Sequence, residues 1–278
     1  MSAKVAFVLG GGGVLGAVQV GMLRAVLERG IRPDLVVGTS IGAINGAIVA
    51  ADVDRSVLRL DRAWTSSDAR VLTTGLGVRP GRAHLMSSGP LLRLLEGALP
   101  HVRDFDDLEV EFRCCAASIE RAAEHWFAEG PLVPAVLASA ALPGVFPAVR
   151  IGDEHFVDGG IVNSIPVSEA AAGGATDIYV MQVGRIEFPL TAPRNQFENA
   201  RVAFEISRRH RFARDTAALP AGTRLHVLPT GTTSERDNRI VRNLSPAAVR
   251  RRIESAHRAA SAYLDRTAAA PAIDGAPA

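Results

Sequence analysis

The chain has 278 residues, with 31 Lys+Arg against 29 Asp+Glu and a net charge of +2. That balance excludes a strongly basic nucleic-acid-binding surface and an acidic solvating chain as the basis of function. Hydrophobic residues make up 47% and charged residues 22%, as in a globular chain with a core, and aromatics at 5% leave Ala, Val and Leu to fill it.

Val5 to Leu9 is a short apolar run ended by Gly10 to Gly13, which predicts a buried strand. Four glycines follow it at once with no small-residue cleavage pattern, so it does not read as a secretion signal. Ala17, Val20, Leu23 and Leu27 recur at helical spacing over 14–28, and Gly30 stops that helix. Leu35–Val37 is a second strand and 41–51 a small-residue helix, a β-α-β-α opening that predicts a mostly parallel sheet covered by helices. A helix over 54–64, a Gly/Pro-rich loop over 70–90 and a Leu-rich helix from Leu91 follow. Strands are expected at 111–118, 125–127, 156–157, 177–183 and 225–228, and a small-residue helix over 132–141. Two long helices, about 195–217 and 246–267, close the chain ahead of an Ala/Pro-rich tail that reads as disordered over 268–278.

Cys114 and Cys115 are the two cysteines, and neighbours on a strand face opposite sides. They predict free thiols and a reducing compartment, with no disulfide framework and no metal site. No run reaches the roughly 18 apolar residues of a membrane span, so a soluble cytoplasmic protein is expected. Between Arg201 and Arg266 there are 14 arginines and 6 acids. The cluster Arg208, Arg209, His210, Arg211 could rest on anionic headgroups at a membrane surface or form a solvated helix face.

Three motifs carry chemistry. Gly11-Gly12-Gly13-Val14-Leu15-Gly16 satisfies G-x-G-x-x-G between a strand and a helix. It fits a dinucleotide turn, with Asp34 near the place of the ribose acid, but Asp34 precedes its strand instead of ending one. It equally fits an oxyanion hole, because consecutive glycines at a helix start expose unpartnered N–H groups, or a plain tight turn. Gly38-Thr39-Ser40-Ile41-Gly42 fits G-x-S-x-G, again between a strand and a helix, the setting of a nucleophile elbow; its bland alternative is an ordinary serine N-cap. The elbow follows only the second strand, which argues against the standard α/β-hydrolase order, and none of the seven histidines has a distinctive context. Phe156-Val157-Asp158-Gly159-Gly160 ends a short strand with a carboxylate, or is a simple Asp-Gly turn.

In order, the glycine loop, G-x-S-x-G, Ala138-Ser139…Pro143-Gly144-Val145-Phe146-Pro147, Asp158-Gly159-Gly160 and Asn163-Ser164-Ile165-Pro166 resemble the patatin-like phospholipase family over about residues 5–183. The resemblance implies a three-layer α/β/α fold with a mostly parallel central sheet, in one patatin-like domain over 1–267. It implies a Ser40–Asp158 dyad, an oxyanion hole of Gly11, Gly12 and Gly13, supporting roles for Gly16, Gly38, Gly42, Gly159 and Gly160, a lipid or acyl-ester substrate, and no metal or cofactor. An aspartate with its usual pKa of about 4 is a weak base for a serine, so burial would have to raise it. Leu15 stands where the family usually carries Arg or Lys, which would fit a less anionic substrate, another arginine reaching in, or reduced activity. A small-ester or thioester hydrolase, and a lipid-binding scaffold with weakened chemistry, are the alternatives.

Overall fold

The computed structural model describes residues 3–65, 84, 86–184, 186, 189–231 and 245–269. Eight strands form one sheet: β1 (Val5–Leu9), β2 (Leu35–Thr39), β3 (Glu111–Ser118), β4 (Ala123–Phe127), β5 (Val149–Ile151), β6 (Glu154–Asp158), β7 (Asp177–Met181) and β8 (Arg224–Val227). Their order is β5-β6-β3-β2-β1-β7-β8, with β4 also on β3. The pairs β1–β2, β2–β3, β1–β7 and β7–β8 are parallel, while β4 and β6 meet β3 antiparallel. The fold is the expected three-layer α/β/α arrangement with a mostly parallel sheet.

Side-chain alternation along β1 builds both layers. Phe7 and Leu9 join the apolar cluster shared with α1 (Ala17–Leu27), α2 (Ile41–Ala51), α3 (Ser56–Thr65), α4 (Gly89–Ala98) and α5 (Leu132–Ser139). Ala6 and Val8 join a second cluster with α6 (Val167–Ala172) and with Phe212 of α7 (Gln196–Ala217). α8 (Pro246–Ala269) lies along α1, where Arg24 bonds Glu254 at 2.8 Å and Arg29 bonds Asp265 at 2.5 Å.

Chain order runs from β1 outward to β2 and β3, then returns to the other side of β1 for β7 and β8. The loop leaving β1 therefore sits where the order reverses, the usual crevice of an open parallel sheet. Leu9 is level with Gly38, so the glycine loop and the G-x-S-x-G turn leave the sheet at the same end.

Several boundaries differ from the sequence expectation. Gly13 has φ 56°, so regular α-helix starts only at Ala17 after a 3-10 turn over Gly13–Gly16. The three-residue β5 and the six-residue α6 are too short to show a period. α8 runs to Ala269, past the expected start of the tail, and the remainder of that tail and most of the 70–90 loop lie outside the described residues.

A buried polar chain ties these loops to the sheet. Gln19 Nε2 donates to the carbonyls of Gly10 and Met181, both at 2.8 Å. Gln19 Oε1 accepts from Asn45 Nδ2 at 2.7 Å, and Asn45 Oδ1 accepts from Trp64 Nε1 at 3.1 Å. One buried amide thus joins β1, β7 and α2. Replacing it strands several polar groups away from water, so Gln19→Leu is expected to cost about 2–4 kcal/mol. Thermal unfolding followed by circular dichroism should show a Tm lower by roughly 5–10 °C; an unchanged Tm refutes this.

Candidate active site

Ser40 occupies the single residue between β2 and α2, at φ 57° and ψ −125°. A left-handed φ on a residue with a Cβ costs about 1–3 kcal/mol and persists only where the surroundings enforce it. Two contacts do so here. The Ser40 N–H donates to Ser139 Oγ at 3.0 Å, and the first turn of α2 presses so closely on β1 that a Cβ on Gly42 would stand 2.0 Å from the Leu9 carbonyl oxygen. Gly38 faces the Gly42 carbonyl, Gly16 faces Ile41 and Gly159 faces the Cys115 carbonyl, each too close for a side chain.

Asp158 reaches Ser40 because of strand register. Thr39 is level with Cys115 on β3, while Asp158 is level with Ala116, the next residue. Ser40 Oγ donates to Asp158 Oδ2 at 2.6 Å, and the Gly160 N–H donates to Asp158 Oδ1 at 2.7 Å. Asp158 is 2% exposed. Burial lifts its carboxyl to about 6, against the pull of the Ser40 and Gly160 hydrogen bonds, which favour the charged form. No histidine hydrogen-bonds Ser40 or Asp158 among the described residues.

The three loop glycines divide. Gly11 donates its N–H to the Ser164 carbonyl at 2.9 Å, so that donor is already occupied, which differs from the expected set of three. Its Cα lies beside the nucleophile: a Cβ there would stand 3.3 Å from Ser40 Cβ and 3.1 Å from Ser164 Oγ. The N–H groups of Gly12 and Gly13 make no hydrogen bond among the described residues. Gly12 abuts Val183, whose Cγ2 would lie 1.7 Å from a Cβ at that position. Leu15 is half-buried against the apolar core.

Asp34 lies elsewhere. Its Oδ2 accepts from the Val5 N–H at 2.8 Å, at the start of β1, whereas the glycine loop follows the end of that strand. A ribose-binding acid must reach the loop end, so the dinucleotide geometry is missing. Cys114 and Cys115 are both buried free thiols, pushed up in pKa by burial, and so are poor nucleophiles.

A narrow, mainly apolar cleft is lined by Ile41, the residue after the serine, and by Asn45. It runs between α2, α3 and α4 past Ile44, Ile48, Leu60, Trp64 and Leu94.

The model of the patatin-like phospholipase family matches residues 7–171. The chain belongs to that family. It is 32% identical over 191 residues to patatin-like phospholipase domain-containing protein 7 of Rattus norvegicus, covering 67% of this chain and 14% of that protein. It is 29% identical over 193 residues to lysophospholipase nte1 of Aspergillus terreus, covering 66% of this chain and 12% of that protein. The chain thus spans a small part of the curated relatives it matches. Among solved structures, VipD from Legionella pneumophila shares the fold, with a TM-score of 0.51 at 15% identity over 96% of this chain and 67% of that one.

Ser139, Ser164 and Gln19 are the supporting residues that motif reading did not assign. Ser139 lies in the Ala138–Pro147 segment, but only folding brings its hydroxyl to the Ser40 N–H.

Because the native state holds the Asp158 proton more tightly than the unfolded chain, stability falls as pH rises from about 4 to about 6 and the penalty is complete above that. Asp158→Asn removes the penalty. The variant is expected to be more stable than the parent by about 2–3 kcal/mol at pH 8, with the gap closing below pH 4. Urea melts across that range test it, and a pH-independent difference refutes it.

Proposed function

We propose that the chain is a serine acyl-ester hydrolase acting on lipids of the phospholipase A or lysophospholipase type, with Ser40 as nucleophile and Asp158 as general base. One observation carries this reading: the 2.6 Å hydrogen bond from a strained serine to a buried carboxylate of raised pKa. Such a carboxylate is a better proton acceptor than a solvated one, and the elbow presents Oγ above the sheet end.

Asp158 takes the Ser40 hydroxyl proton while Oγ adds to the ester carbonyl carbon. The resulting oxyanion is received by the unpartnered N–H groups of Gly12 and Gly13. Gly11 serves instead as the smooth wall against Ser40. Protonated Asp158 then gives its proton to the leaving alcohol as the C–O bond breaks, which leaves an acyl-serine. Water, deprotonated by Asp158, adds to that ester; collapse expels Ser40 Oγ, which regains its proton, and frees the fatty acid. The acyl chain is assigned to the cleft that starts at Ile41, the residue after Ser40, because its lining is mainly apolar; it would have to open to admit a chain. The lysophospholipase relative supports a lipid substrate class. No helix among the described residues is long and apolar enough to cross a membrane.

Hydrolysis of p-nitrophenyl esters from butyryl to palmitoyl tests the reading. Ser40→Ala is expected to lower kcat by roughly 10⁴-fold or more, and Asp158→Asn by about 10²–10⁴-fold. In the parent, kcat/KM should fall about tenfold per pH unit below a limb near pH 6, because the base must be unprotonated. A parent enzyme whose activity survives both substitutions overturns the dyad.

Leu94 stands half-buried at the cleft. Leu94→Trp is expected to lower kcat/KM on palmitoyl esters by roughly tenfold while butyryl hydrolysis is retained. Equal loss on both substrates places the acyl chain elsewhere.

A further inference from the structure

α7 lies beyond the 7–171 segment that the family model matches, and it contains the arginine run that the sequence assigned to a membrane surface or to solvent. Two of these arginines are turned inward. Phe204, Arg208 and Arg211 stand at i, i+4 and i+7, which places them on one face of the helix. Each meets a different part of the site.

The Phe204 ring lies 3.1 Å from where a Cβ on Gly160 would stand, against the turn that carries Asp158. The Arg208 side chain is 1% exposed. Its Nη2 donates to Gln182 Oε1 at 3.1 Å and to the Val183 carbonyl, and its Nη1 donates to Glu205 at 3.2 Å. Gln182 Nε2 in turn donates to the Gly184 carbonyl at 3.2 Å, which closes the segment on itself. Val183 is the residue on which Gly12 rests. Arg211 Nη1 donates at 3.5 Å to the carbonyl of Val162, two residues ahead of the Ser164 carbonyl that holds the Gly11 N–H. Arg211 is itself held by Asp215 at 2.7 Å and Glu124 at 3.2 Å.

Packing alone does not account for a guanidinium at 208. Burying a cation is costly, and Arg208 Nε is buried with no hydrogen-bond partner. What an arginine supplies, and an apolar side chain does not, is a planar fork whose Nη2 holds the Val183 carbonyl and the Gln182 amide while Nη1 is fixed by Glu205. Building on the function proposed above, we propose that Arg208 is a positioning residue for the glycine loop, acting through Val183 on Gly12, within an α7 stripe that holds the loop and the Asp158 turn at a set spacing.

The test uses the full chain with Arg208→Met and Arg208→Lys, the lysine keeping the charge but losing the fork. Live sites are counted by fluorophosphonate titration of Ser40, and kcat is expressed per titrated serine. Arg208→Met is expected to lower that kcat by about 10–100-fold with KM changed less than about threefold, and the limb near pH 6 should stay in place. Arg208→Lys should fall between the two. Hydrogen exchange is measured alongside on the peptide containing Gly10–Gly16, which should exchange about tenfold faster in Arg208→Met while α2 stays protected. A lower Tm with unchanged kcat per serine, or unchanged exchange in the loop, overturns the proposal and leaves Arg208 as a structural residue. If the parent itself hydrolyses no ester and takes no label, the hydrolase reading fails. The exchange comparison then still decides whether Arg208 holds the loop.

Discussion

β2 and β6 approach one another along a single edge of β3 and stop at consecutive positions, Thr39 opposite Cys115 and Asp158 opposite Ala116. β4 pairs with residues 114–118 of the same strand, and a strand has only two edges, so β2 and β6 must share the other one end to end. That arrangement brings a serine and an aspartate 118 positions apart to 2.6 Å. Each other feature of the site either sharpens this meeting or supports its cost. Because β6 runs antiparallel to β3, its last residue, Asp158, faces the last residue of β2 along that edge.

The two central residues are both held in states the isolated chain would avoid. Ser40 keeps a left-handed φ, and Asp158 keeps a carboxylate in a setting that favours its neutral form. In the proposed mechanism these destabilising terms serve the chemistry: the strained turn presents Oγ, and the raised pKa makes the carboxylate a better base. Ordinary interactions nearby counter them. Ser139 holds the Ser40 N–H, Gly160 gives Asp158 one hydrogen bond, and Gln19 bridges β1 to β7 behind the glycine loop. The rigidity of the parallel core thus stabilises a local geometry that has no stability of its own.

The charge pattern has a comparable division. The local excess of arginine in the last third of the chain reads on paper as a surface that seeks anions. In the fold, Arg208 and Arg211 meet carboxylates and the carbonyls of loops that carry the site, and Arg214 meets Asp215. A helix outside the family's matched segment in this way contacts Val162 within it and the Gln182–Val183 segment that follows it.

Local rules were sufficient for much of this protein. The strand Val5–Leu9, the glycines that end it, the elbow around Ser40 and the Asp-Gly-Gly turn are each set by neighbours within a few residues, and so were legible in order and type. Their sequence order also carried the family resemblance and the fold class. The tertiary structure alone decided which of those groups meet and which donors remain open. Gly11, Gly12 and Gly13 are indistinguishable as letters, yet Gly11 loses its N–H to a carbonyl supplied from Ser164, far along the chain. Ser139, Gln19 and Arg208 gain their roles in the same way, from partners 99, 162 and 25 positions distant. Hydrogen-bond partners and desolvation depend on what folding brings alongside, and a reading of spacing along one strand of sequence holds no information about that neighbour.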